Sequence, residues 1–134
     1  MKVLLDTHAF LWLIAGDERL SEKAAKTFLN TENRLRFSAA SLWEISIKES
    51  LGKISLKTGW NQIIRDEMEM NGIQWLPIEM RHCSKAAELP FHHRDPFDRM
   101  LIAQAMTEDM HILTGDPQFS SYPINPIWQP SELR

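Results

Sequence analysis

The sequence contains a single cysteine, Cys83, among its 134 residues. One cysteine excludes an internal disulfide bond and is compatible with the reducing cytoplasm, which is the location we expect. No run of about 18 uninterrupted apolar residues occurs, so we predict no membrane-spanning helix. The apolar residues after Lys2 imitate the start of a secretory signal, but Asp6 and His8 interrupt them.

An excess of positive charge is also missing. The formal net charge is −3, from 15 basic and 18 acidic residues. This balance argues against a protein that coats nucleic acid by bulk electrostatic attraction. If four of the acids formed one metal site, however, 14 acids would remain against the 15 basic residues. A nuclease with a metal-neutralised acidic pocket therefore stays compatible with the composition.

The length and composition are those of one globular domain. Hydrophobic residues make up 43% of the chain and charged residues 25%, which is ordinary for a folded protein. The chain is long enough for one core and too short for two comfortable domains. We find no repeat, low-complexity segment or linker, so we predict a single domain over residues 1–134.

Short apolar strands alternate with helical patterns along the chain. Strands joined through helices pair in parallel by right-handed crossovers, so we predict an α/β fold with a central parallel sheet of four to five strands flanked by helices. The predicted strands are residues 3–5, 35–38, 73–78 and 111–114, with a possible edge strand near Ile127 and Trp128. The predicted helices are residues 9–15, 21–29, 42–51, 60–70, 80–89 and 96–107.

Four acids follow strands or begin helices: Asp6, Glu44, Asp98 and Asp116. The carboxyl ends of parallel strands and the first turns of the helices after them share one edge of the sheet, so these carboxylates can converge there. Burial of acids among apolar residues requires compensation, and the nearby cations are few. A divalent cation would remove the repulsion, and an all-oxygen ligand set favours Mg²⁺ or Mn²⁺ over zinc.

Each acid also has an ordinary structural explanation. Asp6 has the position of a helix N-cap, and Asp98 lies in a first helical turn, where the helix dipole favours a carboxylate. Glu44 stands at capping-box spacing from Ser41 and at ion-pair spacing from Lys48. Asp116, before a proline, can simply form a turn. We favour the metal site because Asp98 and Glu44 lie among apolar residues and because few cations are near enough to compensate the four acids.

The histidines offer a rival metal site. The pairs His82–Cys83 and His92–His93 are close in sequence, but their spacing matches no zinc pattern. We interpret His92, His93 and Arg94 as a polar rim that touches phosphates or as a solvated loop. The five tryptophans fit a core or a protein interface better than a platform for base stacking.

Four motifs in order resemble those of PIN-domain nucleases, and more closely the VapC-type toxins of toxin–antitoxin pairs. They are LLDTH at residues 4–8, SLWEI at 41–45, RDPFDRML at 94–101 and LTGDPQF at 113–119. The resemblance extends from residue 2 to about residue 128. It implies a three-layer fold and cleavage of RNA by an endonuclease that uses Mg²⁺, for which Mn²⁺ may substitute.

The resemblance also implies roles for particular residues and partners. Its four acids match Asp6, Glu44, Asp98 and Asp116, and its hydroxyl positions match Thr7 and Thr114. We expect Asp95 to be a helix cap first and an outer helper of the site second, and Arg99 to contact substrate phosphate or balance the acids. A homodimer and an antitoxin that covers the site are implied too, with residues 10–12 and 60–70 as plausible interface surfaces.

Two other hypotheses remain open at this stage. In the first, Asp6 is the nucleophile of a phosphatase, although His8 stands where that chemistry usually places a second acid. In the second, the chain is a catalytically silent docking module whose acids hold one structural ion or none. The presence of all four acids speaks against such degeneration.

Overall fold

The computed structural model describes residues 1–124 and 126–127. These residues form four strands and six α-helices, with two helices between each pair of consecutive strands. A short 3₁₀ helix, Pro117–Ser121, follows the last strand. The strands are β1 (Lys2–Leu5), β2 (Arg34–Ser38), β3 (Gln74–Leu76) and β4 (His111–Leu113). The helices are α1 (Thr7–Ala15), α2 (Glu22–Leu29), α3 (Ala39–Ser50), α4 (Trp60–Met70), α5 (Met80–Glu88) and α6 (Pro96–Glu108).

The strands form one parallel sheet in the order β3-β2-β1-β4. Strand β1 is central and pairs with both β2 and β4, and Leu5 lies opposite Leu113. Val3, Leu4 and Leu5 are completely buried, as the continuous apolar run at the start of the chain predicts. The predicted α/β fold with a parallel sheet is therefore confirmed.

Two hydrophobic cores lie on opposite faces of this sheet and make the fold three-layered. Val3 and Leu5 join one core, which includes Phe10 of α1 and Phe37 of β2. Leu4 joins the other core, with the apolar face of α6. Because side chains alternate along a strand, three consecutive apolar residues in β1 anchor both layers of helices.

The third and fifth predicted strands differ from the structure. Strand β3 is shorter than predicted and ends before Pro77, which has no N–H to continue the ladder. Near the predicted edge strand, Pro126 forms an isolated bridge with Ile112, and the Ile127 N–H donates to the Ile112 carbonyl at 2.9 Å. Trp128, the other residue of that prediction, lies outside the described residues.

The start of α3 also differs from the prediction. Ser38, not Ser41, caps this helix, and its Oγ accepts from the Ala40 N–H at 3.0 Å. Ser41 instead lies inside the helix, where its Oγ accepts a hydrogen bond from Thr7. Among the described residues, no helix has both the length and the apolar character needed to cross a bilayer.

Candidate active site

The four acids singled out in the sequence lie together at one edge of the sheet. Asp6 directly follows β1, and its N–H continues the ladder by donating to the Leu113 carbonyl of β4 at 3.0 Å. Asp116 follows β4, whereas Glu44 and Asp98 are carried by α3 and α6, which pack against each other. The negative charges of Asp6, Glu44 and Asp116 all raise the pKa of Asp98, so the four carboxylates act on one another.

Asp6 is almost fully buried, with 4% of its surface exposed. It occupies the N-cap position of α1, but its side chain makes no capping hydrogen bond. Its Oδ2 instead accepts from the Thr114 hydroxyl at 2.9 Å. Burial raises the pKa of Asp6 to about 6, although the Thr114 hydrogen bond acts in the opposite direction. Capping therefore does not explain this carboxylate.

Glu44 is buried and only half satisfied. Its Oε2 accepts from Lys48 Nζ at 2.6 Å, which confirms the ion pair expected from their spacing. Its Oε1 is buried and has no hydrogen-bond partner among the described residues. The capping box with Ser41 does not form, because the helix begins earlier, at Ala39. A buried carboxylate oxygen without a donor is unfavourable, so Oε1 calls for a ligand.

Asp98 lies in the first turn of α6, and Asp95 caps that helix. Oδ1 of Asp95 accepts from the N–H groups of Phe97 and Asp98 at 2.9 and 3.0 Å, which confirms the predicted cap. Burial, followed by the charges of Asp6 and Asp95, raises the pKa of Asp98 to about 8. A carboxyl group perturbed this strongly at a sheet edge is typical of a functional site.

Asp116 is the most exposed of the four acids, with 33% of its side chain exposed. Its Oδ1 accepts from the Gln118 N–H at 2.9 Å and so caps the 3₁₀ helix. Its Oδ2 lies 3.5 Å from His93 Nε2. Asp116 therefore forms the predicted turn and also lies beside the other acids.

His93 is a site residue that the sequence analysis did not identify. Its Nε2 lies 2.8 Å from Oδ2 of Asp98, and its Nδ1 accepts from the Asp95 N–H at 3.4 Å. Because Nδ1 accepts, Nε2 carries the proton and donates to Asp98. The ring also packs edge-on against Phe119. His93, Asp98 and Asp116 offer ligand atoms within 4.8 Å of one another.

The neighbours of His93 are exposed. His92 packs edge-on against Tyr122, and Arg94 is exposed as well. The solvated-loop interpretation of residues 92–94 was wrong for His93, whose side chain is 11% exposed and contacts Asp98, whereas a polar rim that touches phosphates stays a prediction. The only signal available in the sequence was a histidine five residues before Asp98.

The two threonines predicted near the acids have different surroundings. Thr114 contacts Asp6 directly and also accepts from the Asp116 N–H at 3.1 Å, so it links two of the acids. Thr7 is buried, and its hydroxyl donates to Ser41 Oγ at 2.8 Å. Thr7 thus joins α1 to α3 beneath the site.

Arg99 does not have the surroundings expected for it. Its guanidinium is buried and donates to the backbone carbonyls of Ala86, Leu89, Pro90 and His93 at 2.9 to 3.2 Å. These bonds hold the loop between α5 and α6, and the ring of Phe91 covers the group. The expectation that Arg99 contacts phosphate or balances the acids was wrong, because its donors are committed to the backbone.

The donor set at this edge fits a hard divalent cation. Four carboxylates supply oxygen ligands, and Glu44 Oε1 is buried without a donor. A set made mainly of carboxylate oxygens suits Mg²⁺ or Mn²⁺. Cys83 is exposed and belongs to no metal-binding group among the described residues. The pairs His82–Cys83 and His92–His93 that suggested zinc therefore do not form a zinc site with Cys83 in the described part of the chain.

Comparison with known proteins agrees with this geometry. The model of the PIN domain family matches residues 3–125. The chain belongs to the PIN domain family. PIN domains are generally nucleases and typically use divalent metals. No curated protein matches the chain.

Solved structures of toxin–antitoxin proteins are among those with the same fold. VapBC2 from Rickettsia felis bound to a DNA fragment from their promoter has a TM-score of 0.72 at 17% identity, and the match covers 94% of this chain and 97% of that one. FitAcB from Neisseria gonorrhoeae has a TM-score of 0.65 at 16% identity, covering 96% and 98%. A toxin-antitoxin complex from Klebsiella pneumoniae has 0.59 at 17%, covering 90% and 92%. At these identities the likeness shows the PIN fold alone.

Proposed function

We propose that this PIN domain is a Mg²⁺- or Mn²⁺-dependent endoribonuclease and the toxin of a toxin–antitoxin pair. The observation that carries the proposal is Oε1 of Glu44, which is buried near Asp6 and Asp98 and has no hydrogen-bond partner in the part of the chain that the structure describes. A carboxylate group whose members raise one another's pKa costs stability unless a cation is bound. We infer that these acids serve catalysis, because they do not stabilise the fold.

We assign the main metal ligands to Asp6 and Asp98. Glu44 and Asp116 complete the ligand set or orient the attacking water. A divalent cation bound there supplies charge to hold a phosphate oxygen and lowers the pKa of a bound water. The reaction is hydrolysis of an RNA phosphodiester bond, with water as the nucleophile and no covalent bond to the protein.

The surrounding residues orient these carboxylates. Thr114 holds Asp6 through Oδ2, and Lys48 holds Glu44 through Oε2, which leaves the other oxygen of each acid to a ligand. His93 donates from Nε2 to Asp98, so it fixes that carboxylate and keeps a proton next to the site. Asp95 is an outer helper, because its cap positions the first turn of α6.

The partner assignments rest on the fold and on exposed apolar surface. We propose a cognate antitoxin because the structures with this fold are toxin–antitoxin complexes. We also propose that each chain forms a single domain, that two chains form a homodimer, and that the protein is cytoplasmic. Candidate interface surfaces are α1, where Leu11 and Trp12 are only partly buried, and α4, where Met70 is exposed at 78%.

The test is cleavage of a mixed RNA pool by the purified protein in Mg²⁺, Mn²⁺ or EDTA. Even an outer partner of a metal ligand is worth about 10- to 100-fold, so Asp98→Asn is expected to lower the cleavage rate by at least about 100-fold. Glu108→Gln, at the other end of the same helix, is the matched control and should cleave normally. Intact melting curves check that both variants fold.

Two results would contradict the proposal. Cleavage that persists in EDTA would separate the activity from a metal, and full activity of Asp98→Asn would remove the carboxylates from the mechanism. Absence of cleavage together with no effect of Mg²⁺ on the melting temperature would favour the docking module instead.

A further inference from the structure

Trp43 is exposed at 62%, an unusual value for the largest apolar side chain. It directly precedes Glu44 on α3, at the edge of the sheet where the acids lie. The sequence analysis expected the tryptophans to be core or interface residues. For Trp43 the core interpretation was wrong.

Phe97 supports the indole of Trp43 from the next helix. The two ring centroids are 5.8 Å apart and the rings are nearly perpendicular, at 85°. Phe97 directly precedes Asp98 in α6, so each ring is the chain neighbour of one acid of the candidate site. No hydrogen bond joins the Trp43 indole to any of the described residues. The pair is therefore an aromatic surface, held in place by edge-to-face packing and open on one side.

We propose that Trp43, supported by Phe97, stacks on an unpaired base of RNA next to the phosphate that is cleaved. The inference rests on the nuclease function proposed above and names a contact within it. A cation bound by the carboxylates would hold the phosphate, but the base next to that phosphate needs a separate contact. An exposed indole meets this need because every base has a π face, and stacking tolerates different bases.

The same reasoning selects single-stranded RNA. Bases in a duplex are already stacked and paired, whereas unpaired bases in loops and ends can stack on aromatic side chains. Lys48, on the same helix, is about one-third exposed but is paired with Glu44 at 2.6 Å, so the contact offered to RNA here is the aromatic pair and not a free cation. The competing occupant is a protein, because Leu51, the residue that ends the same helix, is also exposed.

The test measures binding of a fluorescent, unstructured oligouridine RNA of about twelve nucleotides. Ca²⁺ replaces Mg²⁺ so that binding is observed apart from cleavage. Trp43→Ala and Trp43→Leu should raise the dissociation constant about tenfold or more, whereas Trp43→Phe, which keeps an aromatic face, should stay within about threefold of the wild type. With Mg²⁺, Trp43→Ala should raise KM for the RNA pool and change kcat little.

Trp75→Ala is the matched control, because Trp75 is exposed at 45% but lies on β3 beside Phe37, without a ring contact to the Trp43–Phe97 pair among the described residues. It should bind RNA like the wild type. Size-exclusion chromatography with light scattering checks the oligomeric state of each variant, and melting curves check folding.

Three results would overturn the stacking proposal. They are unchanged RNA binding by Trp43→Ala, equal binding by the Leu and Phe variants, and a change of oligomeric state in Trp43→Ala, which would make this surface a protein interface. If the wild type cleaves RNA while Trp43→Ala binds equally well, only the stacking fails. If the wild type neither binds nor cleaves RNA, the proposed function fails with it.

Discussion

Two acids and one histidine meet at each end of helix α6, and the two groups differ in how well the charges of their acids are compensated. At its first turn, Asp98 meets His93 and Asp116. At its last turn, Glu108 meets His82 and Glu79. Each group brings three potential ligand atoms close together, so residue types alone do not distinguish them.

At the C-terminal end of α6, every acid has a partner. The N–H of Glu79 donates to Nδ1 of His82 at 3.0 Å, and Nε2 of His82 lies 2.9 Å from Glu108. Arg81 forms ion pairs with both acids. The hydrogen bond from His82, together with the charge of Arg81, lowers the pKa of Glu108. This group is a compensated structural cluster.

At the N-terminal end, compensation is incomplete. The pKa values of Asp98 and Asp6 are raised to about 8 and about 6, mainly by burial and then by neighbouring charges. One oxygen of Glu44 has no donor within residues 1–124 and 126–127. Both ends of α6 have suitable ligand atoms, so these atoms do not identify a functional site. Acids whose negative charge is not compensated by hydrogen-bond donors or cations do identify it. Three experiments test the contrast between the two ends.

The largest expected effect is on stability at the C-terminal end. His82→Leu removes a fully buried side chain that satisfies Glu108 and the Glu79 N–H, and leaving these two groups without that partner should lower the free energy of unfolding by about 3 kcal/mol. His93→Leu should cost no more than about 1 kcal/mol, because it removes a donor from an acid that is protonated more easily. Urea unfolding in EDTA measures both, and equal losses would contradict the contrast.

A second experiment predicts opposite signs for the two acids of α6. The pKa of Asp98 in the folded protein is raised from its ordinary value of 3.8 to about 8. The contribution of Asp98 to the free energy of unfolding therefore falls as pH rises from about 4 to about 8. Asp98→Asn should therefore raise the free energy of unfolding at pH 8 by about 2 kcal/mol in EDTA, and change it little near pH 4.

Glu108 behaves in the reverse way. Its folded pKa is lowered, so its contribution is present at neutral pH and is lost as pH falls through the folded value. Glu108→Gln should lower the free energy of unfolding at pH 8 by about 1 kcal/mol. Chemical unfolding of both variants over the pH range tests the pair, and the same sign for both at pH 8 would refute the assignment.

The last experiment locates the metal. Mg²⁺ at about ten times its dissociation constant should stabilise the wild type by about 1.4 kcal/mol, measured as a rise in melting temperature at pH 8. The rise should disappear in Asp98→Asn and persist in Glu108→Gln. NaCl at matched ionic strength controls for screening. Loss of the rise in Glu108→Gln alone would place the cation at the wrong end of α6.

The fold was predictable because its signals are local. The buried run at residues 3–5 and the strands near residues 35–38 and 111–113 follow from short apolar stretches, and the cap at Asp95 follows from the proline after it. The position of four acids at one edge followed from the geometry of parallel sheets. The length of β3, the predicted edge strand and the starts of α1 and α3 differ from the prediction. For α3 the reason is that a serine before a helix can cap at more than one position.

The environment of the acids was not predictable in the same way. His93 and Arg99 were misjudged because the loop between α5 and α6 turns back over the site, and no periodicity describes that path. The exposure of Trp43 was missed because its sequence neighbours, Leu42 and Glu44, are partly or fully buried. Exposure of one residue among such neighbours depends on which helix packs against which.

The sequence by itself determined the parallel sheet, its layers of helices and the edge at which four carboxylates meet. It did so because hydrophobic periodicity and strand ends are properties of neighbouring residues. Only the tertiary structure decided which acids are compensated. Thr114 and Asp6 are 108 residues apart when they form their hydrogen bond, and His82 reaches Glu108 across 26 residues. These partners of buried polar groups lie far apart in the sequence, so only the tertiary structure brings them together.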